Sequence, residues 1–289
     1  MTRALSVLIL LAGLAACAPP PPDYDAAVDR SARRAELTRA QTFAAVLSRR
    51  AALDSLAAFD LVILDPDAYE AEDLAALRAD GVQTLGYVNI GELEDWRRWA
   101  DRVDPAWVLG ENPNWPGHRF VDARQPGWQA LVVDEVAAGV VGKEFDGLFL
   151  DMADVAAPSL FPQTAGGVVA IIRALRQAYP THLLVLNRGL FLLDDVGPDL
   201  DGLLVEGVWG RLDFASGRYI RTPDDERQRL LSALGTFRDA TGGATFVIDY
   251  ADTPDLRDHI RSSARRAQLP VFVSTTALSD LPPANPDAR

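Results

Sequence analysis

The sequence predicts a single-domain (β/α)8 barrel of the TIM type behind an N-terminal leader. Eight short apolar runs are separated mostly by segments of helical periodicity. Six of these runs end in Asp, Asn or Glu. About 250 residues remain after the leader, enough for one barrel. Because strand C-termini meet at one face of a parallel barrel, the six polar ends are expected to line one cavity.

The leader has the pattern of a bacterial lipoprotein signal peptide over residues 1–16. Its apolar core, 5–14, is too short to span a bilayer as a helix. Leu14-Ala15-Ala16-Cys17 resembles a lipobox, in which the Cys is acylated and becomes the new N-terminus. Lipidation at Cys17 would tether the protein to a membrane of the cell envelope, facing periplasm or exterior. An ordinary cleaved signal peptide is the alternative.

The segment after the predicted cleavage site, residues 17–28, is rich in proline and is predicted to be a stiff spacer. Cys17 is the single cysteine of the chain. If it carries lipid, no thiol is left for a disulfide, a metal or catalysis. The barrel itself is predicted over residues 29–279, followed by a loose C-terminal tail, 280–289.

The first four strands are apolar runs bounded by turn and helix signals. Pro126 opens one of the helices between them, and Asp80-Gly81 ends another. The predicted order is strand 42–47 after a basic helical stretch, helix 51–58, strand 61–65, helix 71–79, strand 84–89, a long connection 90–127 with a small strand at 119–121, helix 126–141, and a half-buried strand 145–151.

The second half follows the same alternation. Its helices are amphipathic or begin at a proline, and Pro180 and Gly242-Gly243 end two of them. The predicted order is helix 164–179, strand 183–187, a short helical segment, strand 202–206, helix 222–240, strand 245–249, a helix that begins at Thr253-Pro254, and strand 270–275.

Composition and missing motifs argue against several classes of function. A net charge of −13 disfavours a nucleic-acid partner and is compatible with a cationic substrate. No Gly-rich phosphate loop follows the first strand, and no G-x-S-x-G elbow occurs. His118, His182 and His259 are scattered, without metal-ligand spacing. The sequence therefore predicts no metal and no cofactor. No sequence pattern indicates an oligomeric state, and a monomer is therefore expected.

Carboxylates at the strand ends are what remains for chemistry. Paired carboxylates hydrolyse glycosidic bonds, one as nucleophile or base and the other as proton donor. Asp151 and Glu206, on the fourth and sixth strands, are the preferred pair, because alternation directs both toward the mouth. Asp65 and Asp249 are rivals from the same pattern, which by itself does not rank the four.

The tryptophans give a second indication of a saccharide cleft. Five of the six lie between residues 96 and 128, and Trp209 follows the sixth strand. Aromatic faces stack on the apolar faces of sugar rings and attract cationic amines. Packing of a long loop accounts for some of them. Trp115 and Trp209 are the two expected to face a ligand.

Several ordered sequence blocks carry a family resemblance. They are GYVNIGELEDWR from Gly86, GEN from Gly110, WPG from Trp115, VD from Val121 and FDGLFLD from Phe145. Together they resemble the signature blocks of the family 114 glycoside hydrolases, typified by endo-α-1,4-polygalactosaminidase, and the resemblance spans residues 40–278. The chain departs from the family pattern at Asn89 and Trp96, where Ser and Tyr are expected, and this leaves the substrate open.

The resemblance implies a (β/α)8 barrel that cleaves α-1,4-linked galactosamine-containing polysaccharide, a cationic polymer when partly deacetylated. Asp151 then corresponds to the nucleophile and Glu206 to the general acid/base. The side chains expected to contact substrate are Asp65, Tyr87, Asn89, Glu92, Asn187, Asp249 and Tyr250. Two other hypotheses stay open: a lipid-anchored saccharide-binding barrel without turnover, and a structural envelope lipoprotein.

Overall fold

The computed structural model describes residues 24–279 and Leu281, and it confirms the (β/α)8 barrel. Eight parallel strands, named β1 to β8 here, form one sheet in chain order. Their bounds are Phe43–Val46, Leu61–Leu64, Gln83–Asn89, Gly147–Asp151, Leu183–Asn187, Gly202–Glu206, Ala244–Tyr250 and Val271–Ser274. The predicted signal peptide, Cys17 and nearly all of the predicted tail lie outside the described residues.

The sheet curves until β8 returns beside β1. The Leu47 N–H, just after β1, donates to the Leu278 carbonyl at 3.1 Å. Inside the barrel, the Phe43 ring lies 5.2 Å from the Phe246 ring and 6.0 Å from the Phe272 ring, measured between centroids. These rings fill the barrel interior between β1, β7 and β8, so the barrel is a packed core rather than a pore.

The barrel strands are buried on both faces, as runs such as Leu61–Leu64 predict. The predicted half-burial of the fourth strand is therefore wrong. Gly147 to Leu150 are all buried, because helices cover the outer face, and only Asp151 at its end reaches partial exposure.

Nine α-helices lie among the described residues. Their bounds are Tyr24–Arg39 (α1), Leu53–Leu56 (α2), Ala71–Ala79 (α3), Pro126–Leu131 (α4), Ala138–Gly142 (α5), Ala165–Ala178 (α6), Leu193–Val196 (α7), Asp224–Thr241 (α8) and Pro254–Ala267 (α9). A π-helical turn, Val132–Ala137, joins α4 to α5. There the Tyr179 hydroxyl donates to the Val133 carbonyl at 2.7 Å. A side chain that bonds to the helix backbone in this way is one cause of an irregular turn.

Helix α1 packs against the N-terminal end of the barrel and begins inside the segment predicted as a spacer. Its Leu37 is fully buried. Arg30 and Arg34 on α1, with Arg176 on α6, surround the buried carboxylate of Asp201, at N–O distances of 3.0, 3.3 and 2.5 Å. These ion pairs therefore connect helix α1 to Asp201, which directly precedes the strand that ends at Glu206.

Two small antiparallel sheets extend the mouth of the barrel. The connection after β3 holds three strands, Glu92–Glu94, Val108–Glu111 and His118–Val121, of which only the last was predicted. An unpredicted hairpin, Gly210–Asp213 with Arg218–Arg221, follows β6. Both insertions follow the C-terminal ends of strands, the face on which barrel enzymes carry their active sites.

Candidate active site

The C-terminal ends of β3 to β7 bring five of the predicted site residues together. Asn89 pairs in register with Asp151 across β3 and β4, and Asn187 ends β5. Glu206 ends β6 and Tyr250 ends β7. The short apolar strands place these polar ends at one level because parallel strands share one direction.

One amide group joins the two predicted catalytic carboxylates. Asn187 Nδ2 donates to Asp151 Oδ1 at 2.8 Å and to Glu206 Oε1 at 2.6 Å. The two oxygens are therefore separated by no more than the sum of these two distances, about 5.4 Å. Retaining glycosidases hold their carboxyl groups about 5 to 5.5 Å apart, and inverting enzymes about 6.5 to 9.5 Å.

Each carboxylate has further donors that fix its orientation. The Met152 N–H donates to Asp151 Oδ1 at 2.8 Å, and the Tyr87 hydroxyl also hydrogen-bonds this carboxyl group. The Tyr250 hydroxyl donates to Glu206 Oε2 at 2.5 Å. Met152 adopts a left-handed backbone conformation, φ 64°. Residues other than Gly, Asn and Asp rarely adopt this conformation, and such strain is often found at functional sites.

The site raises the pKa of one of these carboxyl groups. Burial raises the pKa of Asp151 to about 7, and repulsion from Glu206 adds to the effect, while the bonds from Asn187, Met152 and Tyr87 oppose it. Asp151 therefore ionises fully only above about pH 7. Carboxyl groups with shifted pKa values are common among the groups that act in catalysis.

An arginine cluster beside this pair contains Asp65. Arg97 is buried and donates to Asp65, Asp67 and Glu94 at 2.9, 2.8 and 2.6 Å. Its guanidinium carbon lies 5.7 Å from the Tyr87 ring centroid. Three carboxylates around one guanidinium leave this side of the mouth negative. Asp65 is thus a member of an ion cluster, and the Arg97 side chain that organises it was not among the predicted residues.

Two predicted substrate contacts are buried instead. Glu92 is 0% exposed, accepts from Asn112 Nδ2 at 2.7 Å and lies 2.9 Å from His118 Nδ1. Asp249 is also 0% exposed and accepts from three backbone N–H groups, at Val208, Trp209 and Gly210. The oxygens of both carboxylates are thus engaged by the loops around them, and contact of either residue with a substrate stays a prediction.

The tryptophans divide between core and mouth. Trp128 is fully buried, and its ring meets that of Trp99 edge to face at 5.8 Å. Trp209 is buried, with 5% of its surface exposed, and its contact with a ligand stays a prediction. Trp115 is 38% exposed at the mouth. The residue that follows a barrel strand does not reveal by sequence whether its ring turns inward or outward.

A second layer behind the pair was also missed. Arg188 Nε donates to Asp154 Oδ2 at 2.8 Å, and the Gly189 N–H donates to the other oxygen of Asp154 at 3.1 Å. These bonds join the loops that follow β4 and β5 and so hold Asp151 and Asn187 at a fixed separation. The only sequence signal for Asp154 and Arg188 was their position shortly after the strand-end residues.

Between residues 24 and 279, no cluster of three or more His, Cys, Asp or Glu side chains is arranged to hold a metal ion. In the same range no helix combines the length and the apolar character needed to cross a bilayer.

Comparison with known proteins agrees with this geometry. The glycoside hydrolase domain of PelA from Pseudomonas aeruginosa superposes with a TM-score of 0.74 at 27% identity, covering 84% of this chain and 97% of that domain. Aspergillus fumigatus Ega3, solved with galactosamine, shares the fold at a TM-score of 0.68 and 14% identity, covering 83% of this chain and 94% of Ega3. A Deinococcus radiodurans protein of uncharacterised function is 27% identical over 244 residues, which cover 77% of this chain and 75% of that protein.

The family model matches over almost the whole described chain. Residues 25–281 match the model of glycoside hydrolase family GH114, in agreement with the resemblance drawn from the sequence blocks. The matched range includes α1, all eight barrel strands and both insertions. The chain belongs to glycoside hydrolase family GH114.

Proposed function

We propose that this protein hydrolyses α-1,4-linked galactosamine-containing polysaccharide with retention of configuration. Asp151 is the nucleophile and Glu206 the general acid/base in this proposal. The observation that carries it is the single Asn187 amide that holds the two carboxylates within about 5.4 Å of one another. This upper limit on the oxygen–oxygen distance supports the retaining geometry, in which a carboxylate attacks the anomeric carbon directly.

The chemistry follows two steps. The Glu206 carboxyl donates its proton to the glycosidic oxygen while Asp151 attacks the anomeric carbon and forms a glycosyl ester. Glu206, now ionised, then takes a proton from water, which attacks the ester and releases the sugar. The Asn187 amide contacts both carboxylates and so stays bonded while negative charge moves from one to the other.

The amino-sugar part of the proposal is supported by charge and by resemblance. The Arg97 cluster and the net charge of −13 give the mouth a field that attracts protonated amines. One solved relative of the same fold was crystallised with galactosamine. These features favour a partly deacetylated polymer over a neutral glycan.

Product analysis tests the reaction and its stereochemistry together. The polymer, partly deacetylated, is incubated with the protein, and the products are followed by mass spectrometry and by NMR of the newly formed reducing end. We expect oligosaccharides whose first detectable reducing end is the α anomer. A β anomer appearing first would refute the retaining assignment. Binding without cleavage would favour the saccharide-binding alternative, and neither binding nor cleavage would favour a structural role.

The raised pKa of Asp151 predicts the pH dependence of the rate. Because a carboxylate nucleophile attacks only when ionised, and burial raises the pKa of Asp151 to about 7, kcat/KM should rise about tenfold per pH unit from pH 5 to about pH 7. The rate is measured from pH 5 to pH 9 on the polymer, with circular dichroism at each pH to show that the fold persists. A rate that is already constant between pH 5 and pH 7 would contradict an Asp151 that ionises near neutrality.

The membrane anchor is a separate proposal. We infer from the lipobox-like Leu14-Ala15-Ala16-Cys17 that the mature chain begins at an acylated Cys17 in the cell envelope. Intact-mass measurement of protein from envelope fractions should show a diacylglyceryl-modified Cys17 at the N-terminus. An unmodified cysteine there would refute it. The monomeric state also stays a prediction.

A further inference from the structure

The exposed apolar side chains of this protein are concentrated at the mouth of the barrel. In the part of the chain that the structure describes, every large hydrophobic side chain that stays exposed follows the C-terminal end of one of the strands β3 to β6. They are Trp96, Trp115, Leu160, Phe191 and Phe214. Single exposed residues need no explanation, so the feature that distinguishes this set is the contact between two of its members, Trp115 and Phe214.

Two of these side chains meet although they come from different insertions. Trp115 lies in the turn between the last two strands of the small sheet after β3, and Phe214 lies at the tip of the hairpin after β6. Their ring centroids are 6.3 Å apart and their planes are at 82°. Trp115 remains 38% exposed and Phe214 53% exposed. The contact therefore leaves most of the Phe214 ring and a large part of Trp115 open to a ligand.

Trp115 is held by the buried carboxylate of Glu92. The Asn112 amide donates to Glu92 at 2.7 Å, and His118 lies 2.9 Å from its other oxygen. The His118 N–H donates to the Trp115 carbonyl at 3.1 Å, and the two rings are 6.4 Å apart. Glu92 in turn donates its backbone N–H to Asn89 Oδ1 at 2.8 Å, and Asn89 pairs in register with Asp151, so the Trp115 turn is joined to the strand ends that carry the proposed catalytic pair.

Phe214 is held in a similar way by Asp249. This buried carboxylate binds the N–H groups of Trp209 and Gly210 at 2.7 and 3.0 Å, where the hairpin begins. At the tip, the Gly217 N–H donates to the Asp213 carbonyl at 2.8 Å, and the Ser216 hydroxyl donates to the Asp213 carboxylate at 2.5 Å. Both aromatic rings thus project from insertions whose bases are fixed by a fully buried acid.

We propose that Trp115 and Phe214 together form a second sugar-binding subsite, which holds a ring of the polymer other than the one being cleaved. The proposal rests on the proposed function for the identity of the polymer. Its occupant is a galactosamine ring, whose apolar face packs on the aromatic surfaces and whose protonated amine is attracted to the π faces and the acidic mouth. Glu92 and Asp249 act as positioning residues for this subsite.

The first experiment compares a long substrate with a short one. Full-length protein is assayed on the α-1,4-galactosamine polymer and on an aryl α-galactosaminide, which is too short to reach a second subsite. In Phe214→Ala and in Trp115→Ala, the ratio of kcat/KM for the polymer to that for the aryl glycoside should fall about tenfold, equivalent to about 1.4 kcal/mol. Phe191→Ala, an exposed Phe of the same face outside the pair, should leave the ratio unchanged.

The second experiment measures binding without turnover. A galactosamine hexasaccharide is titrated calorimetrically into Glu206→Gln and into the double variant Glu206→Gln, Phe214→Ala, where the Kd should rise about tenfold. An unchanged Kd, an unchanged ratio in both aromatic variants, or the same loss in Phe191→Ala would overturn the subsite. If wild-type protein cleaves neither substrate, the proposed function fails, and the titration alone decides the subsite.

Discussion

Replacing Glu206 with Gln, or Asp151 with Asn, should lower kcat on the polymer by at least about 10³-fold, since each change removes a group that acts in the chemical step. Both substitutions keep the size of the side chain and an oxygen that can accept from Asn187 Nδ2. They also remove the repulsion between the two carboxylates that raises the pKa of Asp151. The fold should therefore survive, and thermal unfolding followed by circular dichroism checks this.

The two roles are separated by rescue with azide. An aryl α-galactosaminide is incubated with Asp151→Ala or with Glu206→Ala in the presence of azide. Direct attack in the nucleophile variant gives the inverted β-glycosyl azide. Attack on the glycosyl ester in the acid/base variant gives the α-glycosyl azide. The opposite pattern would exchange the roles of Asp151 and Glu206, and full polymer cleavage by either variant would remove that residue from the mechanism.

Replacing Asp201 with Asn should lower the free energy of unfolding by about 3 kcal/mol, the lower end of what breaking a buried ion pair costs. Asp201 is 0% exposed and accepts from Arg30, Arg34 and Arg176. It also accepts from the Leu184 N–H at 3.0 Å. We expect the lower end of this range of destabilisation because Arg30 and Arg34 are about a quarter exposed. Their guanidinium groups can therefore be solvated by water once the carboxylate is lost.

Urea unfolding at pH 7, compared with the wild type, measures this effect. The matched control is Arg238→Ala, which breaks the exposed pair with Asp239 at 3.8 Å and should change stability by less than about 0.5 kcal/mol. Equal stability of Asp201→Asn and wild type would mean that the packing of α1 against the barrel does not depend on these ion pairs. A changed denaturant slope would instead indicate a changed unfolded or native ensemble.

The sequence alone predicted the barrel and the carboxylates at its strand ends. Apolar runs of four to seven residues set the eight strands, and β5 and β6 were predicted with the bounds that the structure shows. Alternation along a strand is a local property, so it placed Asp151 and Glu206 at strand ends directed to the mouth. Parallel packing then brings such ends together without any further information.

Tertiary structure decided what the residues around this pair do. Glu92 and Asp249 follow the same pattern of polar residues near strand ends as Asp151, yet insertions cover them, and they serve as buried anchors. Trp209 turns into the core, while Phe214, in an unpredicted hairpin, stays exposed beside Trp115.

The physical reason is the range of the interactions involved. The period of a strand fixes the face of each side chain from its immediate neighbours. The orientation of a loop side chain depends on which distant segment packs against it. Trp115 and Phe214 are far apart in the chain and meet only because the insertions after β3 and β6 fold over one mouth. The sequence by itself determined which carboxylates end the barrel strands, and the packing of the loops decided what surrounds them.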